Sequence, residues 1–131
     1  MTSSRTTSQV DTEQLARKCV EICQERKAVN IKLYDVHQTS MLADFFVVCS
    51  GTSAPHIRAI CNHLRKELNE SGLERHHVEG IPASRWMIMD YGTVLIHVFH
   101  PEARRHYCLE ELWDEDALIY SSTDDGADPQ N

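Results

Sequence analysis

Three groups of residues in this 131-residue chain have types and spacings that could carry chemistry. His97, His100 and His106, with the pair His76-His77, could supply imidazoles to zinc if a strand end and the turn after it converged. No paired cysteine spacing and no HExxH framework supports such a site, so polar strand-end and surface roles are the simpler reading. Cys19 and Cys23 stand one helical turn apart and could give two thiolates to a metal, yet both fall on an apolar helical stripe and read as small core residues. Ser50-Gly51-Thr52-Ser53 is a glycine turn that could receive an anion at a helix start, or simply cap that helix. Nucleotidyl transfer would need such a turn followed shortly by an Asp-x-Asp pair holding a divalent metal. Here no acid follows until Glu67, and Asp114-Glu115-Asp116 lies far along the chain from any glycine turn. Catalytic residues are therefore expected to be none, metal none and cofactors none.

A different chemistry, recognition by aromatic anchors, is written into Arg85 to His100. Trp86 to Asp90 and Val94 to Phe99 have strand length and apolar composition, and Asp90-Tyr91-Gly92-Thr93 between them makes a tight reversal with a permissive glycine. Neither strand shows an apolar-in, polar-out alternation, so this β-hairpin needs cover on both faces, from the chain's own helices or from a partner.

The elements that must position these residues follow from periodicity. Asp11 and Gln14 resemble a capping box, and Leu15, Cys19, Ile22 and Cys23 recur at helical spacing, which predicts a first helix over about Thr12 to Lys27. Ile31 to Val36 reads as a strand, and Phe45 to Cys49 as a buried strand. Ser53 can cap a second helix with Pro55 in its first turn, a stripe at Ile57, Ile60, Cys61, Leu64 and Leu68, and a stop at Gly72. His76 to Glu79 predicts a further strand, Gly80-Ile81-Pro82 a turn, and Tyr107, Leu109, Leu112 and Trp113 a short closing helix. The order predicts an α/β fold with a single mixed β-sheet flanked by helices. The expected organisation is a flexible N-terminal tail over 1–10, one domain over 11–118, and an acidic disordered C-terminal tail over 119–131.

Charge narrows the partners. Up to Tyr107 the chain holds all thirteen Lys and Arg against twelve acids, and beyond it come eight acids and no base. Without a broad basic surface, direct nucleic-acid binding is not expected. The acidic end suits either solubility or a basic protein partner. Five cysteines, an odd number, fit reduced thiols in a cytoplasmic setting better than a disulfide framework. No apolar run approaches the roughly 20 residues of a membrane helix, and no apolar stretch of signal-peptide type follows the start.

Several separate motifs then agree on a family. Leu42 through Ser53 (Leu-Ala-Asp-Phe-Phe-Val-Val-Cys-Ser-Gly-Thr-Ser), Val78-Glu79-Gly80, Trp86 with Asp90-Tyr91-Gly92, His97-Val98-Phe99, Arg105, Tyr107, Leu109-Glu110 and Leu112-Trp113 occur in the order and spacing of the ribosomal silencing factor, or Iojap-like, family. The resemblance covers about residues 12 to 117. Tyr34 and Asp35 in the first strand and His106 after the hairpin depart from the family's usual pattern, at positions that touch packing more than interaction. The resemblance implies a nucleotidyltransferase-like fold without catalytic acids and a non-enzymatic regulator. Such a regulator binds the large ribosomal subunit through ribosomal protein fourteen and sterically blocks subunit joining when nutrients are short.

Carried onto this sequence, the partner-binding residues are Trp86 and Tyr91 as aromatic anchors, with Met89 and Asp90 beside them. Glu79, like Asp44, could equally cap or pair within the domain. Interface anchors favour Trp and Tyr, and an Asp can pair with a basic ribosomal protein. Two other classes stay open on the residues alone: a metal-dependent nucleotidyltransferase-like enzyme, and a scaffold that forms a homodimer through the apolar hairpin.

Overall fold

A computed structural model describes residues 7–40, 43–72, 77–79, 85–108, 110 and 115–122. Two long helices, α1 (Thr7–Glu25) and α2 (Ala54–Glu70), lie on one face of a six-stranded mixed sheet. Its strands are β1 (Val29–Asp35), β2 (Phe45–Ser50), β3 (His77–Glu79), β4 (Trp86–Asp90), β5 (Val94–Phe99) and β6 (Leu118–Ser121). They pair in the order β3-β4-β5-β2-β1-β6. Only β2 and β5 run parallel; the other neighbours are antiparallel. A third helix, α3 (Pro101–Tyr107), follows β5 directly.

The helices form where apolar residues repeat at three and four positions. Ala16, Cys19, Val20 and Cys23 of α1 and Ile57, Ile60, Cys61, Leu64 and Leu68 of α2 make buried stripes against Leu33, Phe45, Val47, Val94, Ile96 and Val98 of the sheet. Ser53 starts α2 as anticipated, its hydroxyl accepting from the His56 amide. Just before it, Gly51 allows the helix to begin against the end of β2. A Cβ there would sit 2.8 Å from Ile57 Cγ1 and 3.1 Å from its amide nitrogen. Central β2 is buried at all six positions, the pattern of a strand covered on both faces.

Four expectations need correction. The first helix starts at Thr7, so Asp11 lies inside it rather than capping it, and residues 7–10, expected in a tail, are helical. One hairpin strand does alternate: β4 buries Met87 and Met89 and leaves Trp86, Ile88 and Asp90 half-buried, whereas β5 is buried at every position but Leu95, as expected of a strand covered on both faces. Composition hid this because the second face is itself apolar. Tyr107 is the last residue of α3, whose first turn is closed by the Arg104 amide donating to the carbonyl of the cap residue His100, so Tyr107 ends one helix rather than opening another. Leu109, Leu112 and Trp113 lie outside the described residues. Finally, Leu118–Ser121 is strand β6 on the free edge of β1, so the boundary at 118 falls inside the sheet. The Ser122 amide donates to the Ile31 carbonyl and the Ile31 amide to the Ser122 hydroxyl, closing that edge.

Candidate partner-binding face

Alternation assigns the hairpin residues to two opposite faces. Cross-strand pairs Trp86 with Phe99, Ile88 with His97 and Asp90 with Leu95 share the face turned away from α1 and α2. The parallel neighbour adds Phe46, paired with Leu95, and Val48, paired with His97. Here Trp86, Ile88, Asp90 and Leu95 are only half-buried, whereas Phe46, Val48 and Phe99 are buried. α3 covers the Phe99 end of this face, and its Tyr107 is the one large hydrophobic residue strongly exposed among the described residues, at 54%.

Trp86 organises the patch. Its ring stacks on Phe99 with centroids 4.9 Å apart and meets Tyr107 at 4.8 Å. Its indole N–H donates to His97 Nδ1 at 3.3 Å. That bond leaves the His97 proton on Nε2, which is buried and has no partner among the described residues. Burial lowers the His97 pKa to about 4, so the ring is neutral at physiological pH. His97 is thus an interior residue, contrary to the surface role expected for it. Asp90 turns its carboxylate into the reversal, accepting from the Gly92 amide at 2.7 Å.

The five sequence-predicted site residues therefore separate. Trp86 and Asp90 lie together on the half-open face. Met89 and Tyr91, 1% and 6% exposed, belong to the core beneath the helices and cannot serve as surface anchors in this fold. The period of two decides it: both are odd-numbered, like the buried Met87. Glu79 pairs with Ile88 in the register, and its side chain lies outside the described residues. Ile88, Leu95 and Tyr107 join the patch without having been singled out; the strand period and the Trp86–Phe99 pairing were the signals that could have found them.

The other chemical candidates resolve simply. Cys19 and Cys23 are fully buried, as expected of core residues, and burial pushes the Cys19 thiol up to about 12. Cys23 Sγ meets Cys49 Sγ at 4.0 Å, and that contact, with burial, raises the Cys23 thiol well above its usual range. His100 caps α3 by accepting from the Glu102 amide. Among the described residues no group of three His, Cys, Asp or Glu could hold a metal, and no helix is long and apolar enough to cross a membrane. Asp114 and His76 lie outside those residues.

Comparison with known proteins settles the family. Residues 9–131 match the model of the family "Ribosomal silencing factor during starvation". The chain belongs to the ribosomal silencing factor family. A ribosomal silencing factor of Halalkalibacterium halodurans is 36% identical over 101 residues, 77% of this chain and 86% of the relative. That of Bacillus subtilis is 34% identical over 96 residues, 73% and 81% of the two. A Bacillus halodurans crystal structure superposes with a TM-score of 0.73 at 32% identity, covering 82% of this chain and 98% of the other. One from Chromobacterium violaceum gives 0.75 at 26%, covering 78% and 85%. Relatives also include proteins named Iojap-related in Arabidopsis thaliana mitochondria and Iojap in its chloroplasts.

Proposed function

We propose that this ribosomal silencing factor docks the Trp86 face onto ribosomal protein fourteen of the large ribosomal subunit and thereby blocks subunit joining. Translation is repressed in the cytoplasm when nutrients are short. The observation that carries this reading is a half-open apolar face, Trp86, Ile88 and Leu95, rimmed by exposed Tyr107 and by Asp90. An aromatic anchor held rigid by its own stacking loses little entropy on binding, and an acidic rim suits a basic partner. Repression by occupancy needs affinity and bulk but no catalytic step, so the factor acts without being an enzyme.

The experiment is co-sedimentation of the purified chain with isolated large subunits. Trp86→Ala should weaken binding by about 2 kcal/mol or more. Because Trp86 also packs on Phe99, Ile88→Asp serves as a second variant that charges the face without emptying it. Unchanged binding by folded forms of both variants contradicts the placement of the interface. Sedimentation of the chain alone reads any homodimer formed through the same face.

A further inference from the structure

One strand beyond Phe99 from Trp86, on the same sheet face, a cavity of about 450 Å³ opens beside α3. This volume is in the range of small-molecule sites, about 300–1,000 Å³. Its wall includes Asn30, Lys32, Ser50, Arg104, Arg105 and Glu110. Arg104 is nearly fully buried, 7% exposed, and rigidly held. Its Nη1 donates to the Ser50 hydroxyl at 2.9 Å, and Nε and Nη2 donate to the two Glu110 carboxylate oxygens at 3.2 and 2.9 Å. Lys32 Nζ reaches the same carboxylate at 3.4 Å. Burial alone would raise the Glu110 pKa, but Arg104 and Lys32 outweigh it and hold the carboxyl below its usual range.

Among the described lining residues the charges do not balance. Lys32, Arg104 and Arg105 place three cations around the cavity against the single carboxylate of Glu110 among its described lining residues. A guanidinium offers five N–H donors, of which the bonds to Ser50 and Glu110 use three. Cations in excess around a concave site, with Arg104 buried, Lys32 half-buried and Arg105 exposed at the rim, complement an oxyanion. Asn30 lines the wall in a left-handed conformation, φ 51°, where the register of β1 shifts between Val29 and Lys32. Bulges of this kind re-aim side chains next to binding sites. A bare phosphate ion would leave most of the cavity empty, whereas Asn30 and Glu110 can bond to hydroxyl groups.

We propose that this cavity binds a small phosphorylated metabolite of sugar-phosphate or mononucleotide size, with its phosphate on Lys32, Arg104 and Arg105 and its hydroxyls on Glu110 and Asn30. The site shares no lining residue with the Trp86 face. Calorimetric titration of the full chain with ribose 5-phosphate and with adenosine 5′-monophosphate, against ribose and adenosine as phosphate-free controls, tests it. Saturable binding of either phosphate, with none of its control, is the expected result; the two arms separate a sugar phosphate from a nucleotide. Lys32→Ala and Arg105→Ala each remove one rim cation and should weaken binding about tenfold or more while leaving the thermal melt unchanged. Arg104 is left intact in both because its loss could unfold α3. Failure of both phosphates to bind at millimolar concentration, equal binding of the controls, or affinity unaffected by the two substitutions would overturn the proposal.

Discussion

His97 illustrates how one residue links packing to pH. Its ring is buried between Phe46 and Phe99, with centroids 5.2 and 6.2 Å away, and accepts the Trp86 indole N–H. Its pKa falls from the usual 6.5 to about 4 in the folded state. Between those values the unfolded chain binds a proton that the folded chain refuses, so stability conferred by the neutral ring is present above pH 6.5 and is lost as pH falls toward 4. The part due to His97 is about 2 kcal/mol between pH 7.5 and pH 5. Urea unfolding at those two pH values should show a pH-dependent loss that shrinks by this order in His97→Phe. An unchanged loss in the variant would mean that the ring is protonated in the folded protein. The same residue scale separates Tyr91 from Trp86. Both are aromatic hairpin residues, and sequence alone treats them alike; only their parity along the strand puts Trp86 at the half-open face and Tyr91 in the core.

At the scale of elements, the sequence was most legible where periodicity was strong. The buried stripe of α2 was anticipated residue by residue, as were its Ser53 cap and the two hairpin strands. β6 was not legible, because Leu-Ile-Tyr-Ser is short and adjoins an acidic stretch; its strand character comes from the free edge of β1, far away in sequence. The alternation of β4 was hidden because both its faces meet apolar neighbours. Gly51→Ala forces a Cβ against Ile57 at the junction of β2 and α2 and should cost about 1–3 kcal/mol in chemical denaturation. A melt equal to that of the parent would show that α2 can shift to make room. Truncation after Ser122 keeps β6 and serves as the reference. Truncation after Ala117 removes β6 together with the Tyr120 hydroxyl that accepts from Gln24 on α1, and should lower the melting temperature sharply. Equal melts for the two truncations would contradict a structural role for β6.

For the molecule as a whole, the sheet works as a partition. One face is closed by α1 and α2 and supplies the bulk of the apolar core; the other is covered by α3 near Phe99 and left half-open at Trp86, Ile88 and Leu95. Family membership was legible from the spaced motifs alone, because those motifs include the hairpin and the turn into α2. The anchor set was only partly legible, since it depends on which side of a strand each residue faces. Asymmetric cover of this kind suits the proposed docking: the closed side secures the fold, and the half-open side keeps apolar surface for a partner to bury. The most direct test is a subunit-joining assay with purified large and small subunits, comparing the parent chain with Trp86→Ala and Ile88→Asp. The account predicts that the parent suppresses joining and that both variants, folded as judged by their melts, fail to suppress it at the same concentration. Full suppression by the folded variants would contradict it.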